Sequence, residues 1–112
     1  MYKLYGISNC TTVKNARTYL EKKKVSFEFV DFKKYTPTDS DIKSWSDVFG
    51  GLPVNKAGLT YKKHKETFEK LSDSQKIKFI QQNTSMIKRP ILSHKDKILA
   101  FGFNEEMYSD VV

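Results

Sequence analysis

Tyr2-Lys3-Leu4-Tyr5, Gly6-Ile7-Ser8-Asn9, Cys10, then Val13, Ala16, Tyr19 and Leu20 at helical spacing: this run, continued by Val25-Ser26-Phe27-Glu28-Phe29-Val30-Asp31-Phe32, decides the architecture. The first four residues form a short apolar segment, the next four a turn, and Cys10 opens a helix reaching about Lys24. Residues 25–32 are rich in aromatic and β-branched side chains and partly alternate, which predicts a second strand with one face more buried. Strand, helix and strand in that order make a βαβ unit, with parallel pairing and a right-handed crossover.

Further along, Thr36-Pro37-Thr38-Asp39 reads as a helix start, with Thr36 as cap, Pro37 at the first helical position and Asp39 three residues after the cap. Ile42, Trp45, Val48 and Phe49 would be its apolar stripe, and Gly50-Gly51 its stop. Residues 52–65 carry no regular pattern and read as a loop, with a short helical turn at Phe68 and Leu71. Ser72-Asp73-Ser74-Gln75 is a capping box opening a helix with Ile77 and Ile80 inward, to about Asn83. Ile91-Leu92-Ser93 and Lys97–Phe101 read as strands joined through His94-Lys95-Asp96, and Asn104-Glu105-Glu106 starts a final helix. The order is β-α-β, a helical middle, then β-β-α. That is a single α/β domain over 1–112: a thioredoxin-like fold with inserted helices and a central four-stranded mixed sheet.

The chain of 112 residues has the size of one domain, and its eight Phe, six Tyr and one Trp supply a core. Its one cysteine makes no internal disulfide. No apolar run approaches the ~18 residues of a membrane span, and Met1–Ile7 does not resemble a secretory signal. A cytoplasmic monomer with no membrane association is expected. The net charge is +7, yet only Arg17 and Arg89 are arginine and the other eighteen basic residues are lysine. Base readers lean on arginine forks, and no zinc-finger, basic-zipper or RNA-recognition pattern occurs. The charge therefore reads as a solvated lysine surface that attracts anionic partners, with no direct nucleic-acid binding. His64 and His94 sit among lysines without metal-ligand spacing to Cys10, so both read as surface residues and no metal site is expected.

Cys10 is the candidate reactive group. A cysteine at the start of a helix faces unpaired N–H groups and the positive end of the dipole. Both favour the thiolate, and such cysteines titrate at roughly 3.5–7.5. Lys14 and Arg17 add positive charge one and two turns on.

Leu4–Arg17, Met86-Ile87-Lys88-Arg89-Pro90-Ile91-Leu92 and Gly102-Phe103-Asn104-Glu105 together resemble the glutaredoxin-linked arsenate reductases and their relatives, the Spx-type redox regulators and a group of single-cysteine thiol reductases. The resemblance spans residues 2 to 110. It implies a cis Pro90 beside Cys10, Cys10 as the nucleophile, and anion binding by the N–H groups from Asn9 through Thr11 to Thr12. It also implies a forked contact from Arg89. Reductases of this type bring three arginines to the anion. Here Asn55 or Lys56, depending on register, replaces the middle-loop arginine, and the C-terminal one falls near Phe101-Gly102. Lysine cannot supply the planar grip, and each lost charged contact costs ~1.5–3 kcal/mol. Efficient arsenate reduction is not expected.

A thiol-dependent reductase remains, with no cofactor and with an external thiol such as glutathione, glutaredoxin or a thioredoxin-type reductant resolving Cys10. The alternative that the resemblance implies is a regulator binding the C-terminal domain of the RNA polymerase α-subunit. Regulators of that type switch through a Cys-x-x-Cys pair, and the position three after Cys10 is Val13.

Overall fold

The computed structural model describes residues 1–112, which form two compact units: residues 1–35 with 89–112, and residues 36–88. The first unit holds β1 (Tyr2–Gly6), α1 (Thr11–Lys22), β2 (Phe27–Asp31), and the second unit follows with α2 (Asp39–Phe49), α3 (Leu59–Glu69) and α4 (Asp73–Gln82). The chain then returns to the first unit as β3 (Ile91–His94), β4 (Lys97–Phe101) and α5 (Glu105–Ser109).

The four strands make one mixed sheet in the order β2-β1-β3-β4. β1 runs parallel to β2, with Leu4 beside Phe29, and antiparallel to β3, with Tyr5 beside Ile91. β3 and β4 form the expected antiparallel hairpin, irregular between Leu92 and Ser93. This is the thioredoxin-like α/β arrangement. Val13, Ala16, Tyr19 and Leu20 recur every three or four residues and are the buried stripe of α1. Leu4, Ala16, Leu20, Leu92, Ala100 and Tyr108 pack as the core of this unit, with Phe29, Leu99 and Phe103 against it. Each large side chain so buried contributes about 1.5–3 kcal/mol.

The second unit departs from the sequence reading in three places. The cap of α2 is Thr38, not Thr36: its Oγ1 accepts the Asp41 N–H at 3.0 Å and the Asp41 carboxylate accepts the Thr38 N–H at 3.0 Å. Asp39, the partner a Thr36 cap would need, instead accepts from Gln81 Nε2 at 2.8 Å. Ile42 and Trp45 are buried, but Val48 and Phe49 are 58% and 40% exposed, in the last turn beside the exposed Gly50-Gly51 stop. Residues 59–69, read as mostly loop, form the full helix α3. Tyr61 and Phe68 bury its one apolar edge, the Tyr61 hydroxyl donates to the Glu69 carboxylate, and Phe68 packs on Phe79 at 5.8 Å between ring centroids. The Ser72 capping box opens α4 as expected.

Both histidines are half-buried and not simply solvated. The His64 ring lies edge-on to Phe79 at 5.3 Å, and the His94 ring stacks on Tyr2 at 4.2 Å. No helix is long and apolar enough to cross a membrane.

Candidate active site

Gly6 ends β1, and its carbonyl accepts the Phe32 N–H at 2.8 Å. The chain then turns through Ile7-Ser8-Asn9, closed by the Cys10 N–H donating to the Ile7 carbonyl at 3.1 Å. Cys10 is the N-cap of α1, with extended backbone at φ −88° and ψ 125°. Its carbonyl accepts the Lys14 N–H at 2.9 Å, the first bond of the helix. A capping side chain faces the N–H groups of the second and third helical residues, here Thr12 and Val13. Sulfur is a weak acceptor, and Sγ closes no cap hydrogen bond. The two N–H dipoles nonetheless act on it in the direction that favours a negative charge.

Arg89 arrives from a distant part of the chain. Antiparallel pairing sets the start of β3 beside the end of β1, so Arg89, two residues before Ile91, meets the loop that follows Gly6. Its Nη2 donates to Cys10 Sγ at 3.9 Å. The Arg89–Pro90 peptide is cis, and Pro90 is buried. The Pro90 carbonyl accepts the Gly102 N–H at 2.8 Å, and the Gly102 carbonyl accepts the buried Tyr108 hydroxyl at 3.1 Å. Gly102 holds a left-handed φ of 80°, which a residue without Cβ adopts at little cost. The segment carrying the arginine is thus tied to the end of β4 and to α5.

Cys10 is half-buried, and that burial works against its ionised form. The Val13 N–H, the Arg89 guanidinium as donor and as charge, and the Thr12 N–H outweigh it, so the thiol titrates below an ordinary cysteine. Asn9, Thr11 and Thr12 are exposed around the sulfur-bearing turn. Lys14 is exposed on α1 and is not among the groups that lower the thiol, while the Arg17 guanidinium lies 4.3 Å from the centre of the Phe29 ring. Lys56 belongs to the second unit, where it is exposed and lines a cleft of about 250 Å³ with Phe68, Glu69 and Lys76.

Three contributions escaped the sequence reading: the Val13 N–H at the sulfur, the Gly102 N–H donated to the Pro90 carbonyl, and the Tyr108 hydroxyl on the Gly102 carbonyl. The capping rule would have found the first, because a cap at Cys10 has Val13 as its third helical residue. A half-buried sulfur whose thiol titrates below an ordinary cysteine, with one guanidinium beside it, is equipped to attack an electrophilic sulfur or oxyanion.

The ArsC family model matches residues 5–111 of this chain. The global transcriptional regulator Spx 2 of Lactococcus lactis subsp. lactis is 30% identical over 110 residues, covering 95% of this chain and 82% of the regulator. Among solved structures, the YFFB protein is similar at 31% identity with a TM-score of 0.84, covering 98% of this chain and 97% of that one. A possible arsenate reductase from Streptococcus mutans is 26% identical with a TM-score of 0.79, covering 99% and 97% respectively.

Proposed function

This chain belongs to the ArsC family, and from that premise we propose that it is a thiol-dependent reductase whose nucleophile is Cys10. The carrying observation is the Arg89 guanidinium 3.9 Å from the sulfur of the N-cap residue, whose thiol is lowered, against its burial, by the Val13 N–H, that cation and the Thr12 N–H. The ionised Sγ attacks one sulfur of a disulfide, forming a mixed disulfide with Cys10 and expelling the other sulfur as thiolate. An external thiol such as glutathione, or the thiol of a glutaredoxin or thioredoxin-type protein, then attacks the mixed disulfide. Cys10 leaves as thiolate while the external thiol forms a new disulfide with the substrate sulfur, and a second external thiol releases that sulfur, so that two external thiols together supply the one electron pair that reduces the disulfide. No bound cofactor takes part. The reaction suits the cytoplasm, where low-molecular-weight thiols are kept reduced.

A disulfide is a better substrate for this site than arsenate. A single arginine offers one forked grip to an oxyanion, whereas sulfur exchange asks chiefly for an ionised attacking thiol. The test is turnover of a small disulfide with glutathione by the purified protein, beside arsenate under the same conditions. Disulfide turnover that vanishes in Cys10→Ser is expected, with arsenate slower. Equal turnover by Cys10→Ser would overturn the proposal.

A second reading has its own support in the 30% identity to a transcriptional regulator along 95% of this chain. In that reading the chain docks on the C-terminal domain of the RNA polymerase α-subunit. With Val13 three residues after Cys10, redox control would run through a mixed disulfide or sulfenic acid at Cys10 itself. A pull-down with the isolated α C-terminal domain, from oxidised and reduced protein, decides it. Failure in both states removes this reading.

A further inference from the structure

We propose that Gly6 is a positioning residue for the Cys10 thiol: the missing side chain lets Val13 seat directly against the end of β1, and that seat fixes where the first turn of α1 meets the sulfur. The inference rests on the reading of Cys10 as an ionised nucleophile.

Gly6 does not owe its place to backbone freedom. The left-handed glycines are Gly50, Gly51 and Gly102, so the conformation at Gly6 is open to other residues and only space is at issue. A Cβ there would lie 2.8 Å from Val13 Cγ2 and 3.0 Å from Cγ1, far inside van der Waals contact. Neither side can yield cheaply. Val13 is fully buried, and a β-branched side chain in a helix has essentially one rotamer. The strand is held on both flanks, by the parallel register with β2 and the antiparallel register with β3, and the Gly6 carbonyl is bonded to the Phe32 N–H.

Added bulk at position 6 therefore displaces the first turn of α1. That turn carries the Thr12 and Val13 N–H groups that act on Sγ, whereas Arg89 is anchored separately before β3. A close approach between a strand end and a helix start thus controls the dipoles at the nucleophile from three or more residues away.

The experiment follows thiolate absorbance and iodoacetamide alkylation across pH in the parent, Gly6→Ala, the double variant Gly6→Ala/Val13→Ala, and Leu99→Ala. Gly6→Ala should shift the thiol midpoint upward and slow alkylation severalfold below it. The double variant should return towards the parent profile, because the nearest Val13 atom remaining is Cβ at 3.5 Å, an ordinary contact. Leu99, which packs against the core of the same unit, controls for general loosening: Leu99→Ala should lose stability and keep the parent profile. If Gly6→Ala does not fold, the double variant decides, a parent-like titration supporting the inference and a free-cysteine titration overturning it. A folded Gly6→Ala with the parent profile, a double variant that does not recover, or an equal shift in Leu99→Ala overturns it too. A parent that titrates like free cysteine defeats the functional reading and this inference together; a low parent beside an unmoved Gly6→Ala defeats this inference alone.

Discussion

Replacing Arg89 by alanine should make Cys10 a slower nucleophile below its titration midpoint by a calculable amount. Unit charges at the 3.9 Å separation of Nη2 and Sγ attract by about 1 kcal/mol in bulk water and about 4 kcal/mol at an effective dielectric of ~20. The sulfur is half-buried, so solvent screening brings the relevant figure down to about 1–2 kcal/mol. A difference of that size changes the ratio of thiolate to thiol roughly 5- to 30-fold. The thiolate of a less acidic thiol is also the better nucleophile, with a Brønsted slope of ~0.4–0.5, so alkylation below the midpoint slows by only about 2- to 8-fold. Arg89→Lys should fall between parent and Arg89→Ala, because it keeps the charge and loses the fork. The assay is the pH profile of iodoacetamide alkylation, with circular dichroism to establish folding. An Arg89→Ala protein that is folded and alkylates along the parent curve would refute the electrostatic account of the site.

Three further outcomes follow from the structure. The folded thiol titrates below the unfolded one, so the unfolded chain binds more protons in the window between them and stability rises with pH there. The stability advantage of the parent over Cys10→Ser should be full above the ~8.5 of an unfolded thiol and lost as pH falls through the lower folded midpoint, in urea titrations at several pH values. Tyr108→Phe deletes the buried donor to the Gly102 carbonyl and should cost about 1–3 kcal/mol in the same titrations; burial also raises the phenol's pKa, so in the parent its ultraviolet ionisation should appear only on alkaline unfolding.

The opening βαβ unit was legible because its signals are strong and local. Val13, Ala16 and Leu20 mark one helical face, and Phe27–Asp31 sits in a run of strand formers. The start of α2 was misplaced by two residues because Thr36 and Thr38 each precede a carboxylate at the right interval. Gln81, forty-two residues away, engages Asp39 and so settles the choice. The helix α3 was missed because its buried anchors, Tyr61 and Phe68, stand seven residues apart with lysines and a histidine between them. At that density a periodic signal does not rise above a polar loop.

In the site, Cys10 and Arg89 were both readable, the first from its place after a strand, the second through family resemblance. What was not readable is carried by backbone and by distance. Val13 reads as an ordinary core residue while its N–H acts on the sulfur. The want of room at Gly6 is a property of packed atoms, which no spacing rule expresses.

The sulfur and its guanidinium partner are separated by 79 residues of chain and joined by strand pairing. The guanidinium's share in lowering the thiol therefore waits on the pairing of β3 with β1, whereas the share of the Val13 and Thr12 N–H groups needs only the first turn of α1. The thiol is its own clock for that event, and a brief labelling pulse during refolding reads the moment the two ends of the sequence meet.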